Sequence, residues 1–168
     1  MELRHQVLDA ARGVRFDVPM NSFYVMQDLV HLHVPYGQTG GGVSVMQVDV
    51  APGGGPPPLH THEAHEFFWT LSGSLTYFRD DGDDGLTEIT GGSGTHAFIP
   101  GGVPHTYRNF SDEPASYLAV LSPPHKMQDF LVEAGIEPGE DFRSPEEVLA
   151  IGARYGIELL DTVPEPRG

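Results

Sequence analysis

The sequence predicts a mainly β fold, a small antiparallel barrel or sandwich followed by two short helices. Three observations predict it. Across residues 22–121, short runs rich in β-branched and aromatic residues recur at turn-punctuated spacing. The chain carries 21 Gly and 15 Pro, many of them between those runs. Beyond Pro124 the apolar residues change from alternation to helical spacing.

Each element follows from its composition. Residues 22–34 (SFYVMQDLVHLHV) read as one or two strands with His31 and His33 on a shared face, and residues 36–42 (YGQTGGG) turn the chain. Residues 43–50 (VSVMQVDV) alternate with period two. Residues 51–58 (APGGGPPP) form a rim loop, because Pro lacks the amide a central strand must donate. Short strands are expected over 66–72, 74–78, 86–90, 95–99, 105–109 and 115–121. The acidic run at 79–85 lacks the acidic twelfth position of a calcium loop and reads as a solvated hairpin tip. In the tail, Met127, Phe130 and Leu131 share a helical face that Gly135 stops. Ser144-Pro145-Glu146-Glu147 then has the capping Ser, Pro and Glu of a helix start, and Gly156 ends that helix before IELL returns to the barrel.

At 168 residues the chain fits one core. It divides into an N-terminal arm (1–21), a β-barrel (22–122) and a helical extension packed on it (123–168). The formal net charge of −15 argues against a nucleic-acid partner, whose phosphates require Lys and Arg. No apolar stretch approaches the roughly 18 residues of a membrane span, and the first residues lack the apolar core of a secretory signal, so a cytoplasmic protein without a membrane partner is expected. With no cysteine, a metal must be held by imidazole and carboxylate.

The densest group of such ligands is His60-Thr61-His62-Glu63-Ala64-His65-Glu66. Residues two apart on a strand face one side, so His60 and His62 both point inward. A turn over 63–65 then brings Glu66 onto the neighbouring strand, and a tight turn at 100–104 aims His105 at the same point. A register slip would exchange Glu63 and His65 for Glu66 and His62.

At these residues the chain resembles the cupin family. Its first motif, G(x)5HxH(x)3E(x)6G, is met by Gly54, His60, His62, Glu66 and Gly73. Its second, G(x)5PxG(x)2H(x)3N, is met by Gly94, Pro100, Gly102, His105 and Asn109. Only Glu66 keeps the spacing to Gly73. The resemblance implies a cupin (double-stranded β-helix, jelly-roll) barrel with His60, His62, Glu66 and His105 as metal ligands and Asn109 as an architectural residue. The metal is one divalent transition ion: Fe, Mn, Ni, Co, Cu or Zn.

Within the family, PPPLHTHEAHEFFWTLSG and the closing RYGIELL are similar to single-domain bacterial cupins grouped with quercetin (flavonol) dioxygenases. That likeness implies an enolic or aromatic small-molecule substrate, dioxygen as co-substrate, and Glu66 as the catalytic acceptor of the enolic proton. The alternatives are a polyketide cyclase or isomerase with a Lewis-acid metal, and a small-molecule-binding cupin without turnover. Phe23, Tyr24, Met26, Met46, Phe68, Trp69, Tyr77, Phe98 and Tyr107 supply either core or a hydrophobic pocket. His31 and His33 are either polar strand positions or acid–base groups at the barrel mouth. His96 and His125 read as surface residues. Cupins commonly pair through edge strands, so a homodimer is expected.

Overall fold

The computed structural model describes residues 21–56 and 58–165; the expected N-terminal arm, with His5, lies outside them apart from Asn21. The chain runs β1 (Asn21–Val25), β2 (Asp28–Val34), β3 (Ser44–Val50), β4 (His60–Thr61), β5 (His65–Ser72), β6 (Leu75–Asp80), β7 (Leu86–Gly91), β8 (His96–Ile99), β9 (His105–Arg108) and β10 (Ala115–Ser122). Helices α1 (His125–Ala134) and α2 (Pro145–Arg154) and the short strand β11 (Glu158–Leu159) follow. The strands form a six-stranded sheet in the order β1-β2-β3-β10-β5-β8 and a five-stranded sheet in the order β11-β4-β9-β6-β7. Every strand pairing is antiparallel. This is the mainly β cupin barrel with two C-terminal helices that the sequence predicts.

Alternation sets what each strand buries. In β2, Val30 and Leu32 are buried while His31 and His33 are only partly so; in β3, Ser44, Met46, Val48 and Val50 are buried and the residues between them are less so. His31 therefore looks away from the interior and bridges strands: Ser22 Oγ lies 2.7 Å from its Nδ1, and Asp49 Oδ2 lies 3.0 Å from its Nε2. Of the two readings left open for His31, the contacts are those of a polar strand position, since the apolar residues of β2 claim the inner face.

Between the sheets, Phe68 stacks on Tyr77 at 5.3 Å and meets the edge of Tyr117 at the same distance. The helices complete the core with Phe130, Leu131, Val148 and Ile151. A capping box starts α2: Ser144 accepts from the Glu147 amide, and the Glu147 carboxylate accepts from the Ser144 amide. β11 is more than a returning tail. It pairs with β4, Leu159 opposite His60, and further bonds join the Leu59 amide to the Thr162 carbonyl (2.8 Å) and the Leu160 amide to the Leu59 carbonyl (2.9 Å).

The hairpin tip at 79–85 is a short 3-10 turn, Gly82–Asp84, closing β6 onto β7. Arg79 grips Asp81 there through two bonds, 2.6 and 3.1 Å, and Thr87 donates to the same carboxylate. Asp81, and Asp80 through the Gly82 amide, thereby shape the turn.

Candidate metal centre

The two histidine motifs meet across one strand pair. His60 of β4 lies directly opposite His105 of β9, in the five-stranded sheet. Glu66 comes from β5 in the six-stranded sheet, so it reaches the group from the opposite wall and not from the neighbouring strand, as expected from the short 63–65 turn. The chain changes sheets within that turn. The 100–104 turn packs against it: the Gly102 amide donates to the His62 carbonyl at 2.7 Å with Gly102 at φ +80°, and a Cβ at Gly101 would stand 2.1 Å from the Glu63 carbonyl oxygen. Gly101 is thus as constrained as the motif glycines, a requirement invisible until the two turns touch.

Four side chains converge. His60, His62, Glu66 and His105 are between 1% and 7% exposed. Ligand atoms of His60, His62 and His105 all lie within 4.8 Å of one another. Glu66 Oε2 is 3.1 Å from His105 Nε2, and Oε1 is 3.6 Å from His62 Nε2. Glu63 and His65 point elsewhere. Glu63 pairs with Lys126 at 2.8 Å on the surface, and His65 accepts from the Gly101 amide and stacks on Phe98.

The proton positions show what this group requires. His105 Nδ1 donates to the Val103 carbonyl at 2.8 Å, so that nitrogen holds the hydrogen and Nε2 of the neutral ring is a bare lone pair. A lone pair and a carboxylate oxygen facing each other across 3.1 Å repel unless a cation stands between them, either a proton or a metal ion. Both ring nitrogens of His62 and Nδ1 of His60 are buried without a hydrogen-bond partner. Burial, and then the charges of His105 and His62, pull His60 down to about 3, so it stays neutral. Burial raises the Glu66 carboxyl, but the His62 charge, and then the approach of His105 Nε2, outweigh it and hold the group ionised, well below the usual carboxylate range. Burial lowers His62, and the Glu66 carboxylate reverses this. Three neutral imidazoles are what a divalent transition metal takes, and the His60, His62 and His105 group fits one.

A cavity of ≈ 700 Å³ adjoins the cluster, with His60 and Glu66 in its wall. Met26, Met46, Phe68 and Tyr107 line it as the hydrophobic-pocket reading requires, joined by α1 and α2 residues that sequence reasoning left out, Phe130 and Val148 among them. Trp69 and Phe98 instead lie on the outside, 41% and 52% exposed, and Tyr77 is core. Asn109 is architectural: its amide donates to the Val50 and Glu113 carbonyls, and its oxygen accepts from Ser111.

One titratable group in the cavity wall was missed from sequence. Burial pushes the Asp28 carboxyl up to about 6, against a bond from Tyr107, the Gly55 amide and the Arg108 charge. Because the folded value lies above the unfolded one, its stabilising contribution is full below pH ~4 and is lost as pH rises through ~6. The stability difference between wild type and Asp28→Asn, followed by urea unfolding, is expected to fall by about 2 kcal/mol between pH 4 and 7. A pH-independent difference would show Asp28 ionised throughout.

Comparisons with known proteins agree with this architecture. The family model described as "Cupin domain" matches residues 46–121. No curated protein sequence matches the chain. Among solved structures, one from a study of oxalate oxidase is 25% identical with a TM-score of 0.50, covering 77% of this chain and 67% of that one. An RmlC-like cupin from Shewanella frigidimarina is 11% identical with a TM-score of 0.55, covering 68% and 93%. A sugar phosphate isomerase of the cupin superfamily from Silicibacter pomeroyi is 25% identical with a TM-score of 0.43 over 55% of this chain, which spans 59% of that protein's length. Among the described residues no helix is long and apolar enough to cross a membrane. The facing sheets and the buried histidine cluster thus coincide with the stretch, residues 46–121, that the cupin-domain model matches.

Proposed function

We propose that His60, His62, Glu66 and His105 hold one divalent transition metal (Fe, Mn, Ni, Co, Cu or Zn), and that the protein is an oxidoreductase of the dioxygenase kind acting on an enolic or aromatic, flavonol-like small molecule. The observation that carries this reading is the position of Glu66. Its oxygens stand 3.1 and 3.6 Å from His105 and His62 nitrogens. Two ligands bonded at about 2.1 Å are about 3.0 Å apart at a right angle and about 3.4 Å apart at a tetrahedral one. The same carboxylate lines the cavity, where a substrate hydroxyl can reach it.

A divalent metal held by His60, His62, Glu66 and His105 would supply Lewis-acid and redox capacity at the cluster. Glu66, held ionised, takes the enolic proton; Val103 fixes the His105 ring; Met46, Val48 and Phe68 keep water from the reacting face. Similarity to the oxalate oxidase structure supports redox chemistry. Oxalate itself suits this cavity poorly: no Lys or Arg is among the described residues lining it, and Asp28, Glu66 and Glu158 are. A wall of that composition favours a larger, mostly apolar ligand over a small dianion. Pairing of two copies through β8, an edge strand among the described residues, beside the exposed Trp69 and Phe98, belongs to the same proposal.

The test is elemental analysis of protein purified without chelator, followed by oxygen-electrode screening of flavonols, diketones and polyketide-like phenols. Metal-dependent oxygen uptake with substrate loss is the expected result. Turnover by zinc-loaded protein without oxygen would assign a cyclase or isomerase instead, and thermal stabilisation without product would assign a binding protein.

A further inference from the structure

The hairpin of β1 and β2 carries backbone strain at the edge of the cavity. A two-residue turn, Met26-Gln27, joins the paired Val25 and Asp28. Met26 takes φ +55° there, and among the described residues no other non-glycine has a positive φ. The first position of such a turn normally goes to Gly, or to Asn or Asp, because a Cβ crowds the following carbonyl oxygen; Met has no local hydrogen bond to offset that. Both strands are pinned: β2 pairs onward with β3, and the Tyr24 amide and carbonyl bond the Ile136 carbonyl and amide at 2.9 and 3.0 Å. What the strain secures is a side-chain position. Met26 packs partly buried against the core and lines the cavity, and Gln27 beside it is an exposed lining residue. Further exposed lining residues, Gly53, Leu149, Ala153 and Leu159, come from the 51–58 loop, α2 and β11, and with Gln27 they frame the mouth. A turn alone would be better served by Gly, and core filling would enclose the side chain; Met26 satisfies neither.

We propose that Met26 is a specificity-determining residue at the mouth of this cavity, its thioether lying against the far ring of an aromatic ligand whose polar end is at the histidine cluster. The ligand class rests on the function proposed above; the role of Met26 rests on the geometry of the turn. Met suits the place because it is unbranched, with a chain of rotatable bonds, so it swings aside for entry and then settles on the ring, where sulfur–aromatic contact is favourable. Leu149 and Leu159, the other large apolar side chains at the mouth, take any apolar ring alike. Discrimination there between an aromatic and a saturated ring falls to the sulfur.

The probes are para-phenylbenzyl alcohol and para-cyclohexylbenzyl alcohol, which share the alcohol end and differ only in the far ring. Their affinities for zinc-treated protein are measured by ligand-observed NMR titration, and the ratio of the two is compared across variants, which cancels a general loss of stability. Met26→Leu keeps apolar bulk and removes the sulfur. It is expected to lower the preference for the phenyl probe at least about threefold, as loss of one sulfur–aromatic contact does, with cyclohexyl-probe affinity held within about twofold. Met26→Ala and Met26→Gly should lower the preference equally, while the glycine variant melts about 2–4 °C above the alanine one because it also releases the strained φ. A smaller fall in Met26→Leu, or no binding of either probe, overturns the proposal. So does a preference restored in Met26→Gly relative to Met26→Ala, which would trace it to the stability of the turn. A glycine variant melting no higher than the alanine one removes the strain from which the role is inferred. The two readings fail separately: a Met26-dependent preference in protein that takes up no metal and consumes no oxygen keeps this role and discards the proposed function, and oxygen uptake with a preference indifferent to position 26 does the reverse.

Discussion

Replacing His105 by alanine is expected to strip the metal from the protein and to remove its metal-dependent thermal shift. His105 is the most buried of the four residues, opposes His60 across the β4–β9 pair, and has its tautomer fixed by Val103. Losing it should weaken metal binding by more than the ~10–100-fold that follows loss of a mere supporting partner. Saturating metal, at about a thousand times its dissociation constant, stabilises the folded state by about 4 kcal/mol, which for a chain of this size is about 8–16 °C in Tm. The measurement is a pair of melts, with added metal and with chelator. Wild type should show the shift and His105→Ala should not; His62→Ala should behave in the same way. Equal shifts in wild type and variants would place the metal elsewhere. The variant also leaves Glu66 buried with fewer cations to face, so its chelated form should melt below chelated wild type.

Glu66→Gln separates holding the metal from moving the proton. The amide keeps an oxygen that can approach His62 and His105, so under saturating metal the variant is expected to remain loaded. It cannot accept a proton, and kcat should fall by about 10²–10⁴-fold. Single-turnover rates on metal-matched samples check this. A loaded Glu66→Gln protein with wild-type kcat would leave Glu66 a ligand only, and a variant that binds no metal would make its coordination the dominant role.

The convergence of four side chains was legible because strand periodicity is rigid: His60 and His62 share a face by spacing alone, and the glycine-punctuated turns bring the second motif beside the first. What failed is equally physical. Spacing from His62 to Glu66 does not say that the turn between them crosses from one sheet to the other, because a sharp turn and a sheet change use the same few residues. In β2, the two readings of His31 and His33 stayed open because periodicity gives two faces without saying which is inner until Val30 and Leu32 are seen to pack. Asp28 falls on that inner face, yet a lone acid at a strand start reads as a turn residue. Only the arrival of Tyr107 from 79 positions away shows it to be buried. The cavity roof was illegible for a similar reason: α1 and α2 showed amphipathic spacing, but which surface their apolar faces would cover depends on tertiary packing.

The pairing of β11 with β4 gives the chain's last strand a share in the chemistry. Leu159 sits opposite His60, and backbone bonds to Leu59 hold the ligand strand on both sides of that position. Because two events that share a strand are thermodynamically reciprocal, whatever tightens His60 on a cation also tightens the tail, and whatever frays the tail loosens the cation. A segment that supplies no ligand would thus tune the affinity of a metal held at His60. Sequence change near Glu158 and Leu159 offers a route to retune metal retention without altering a single histidine.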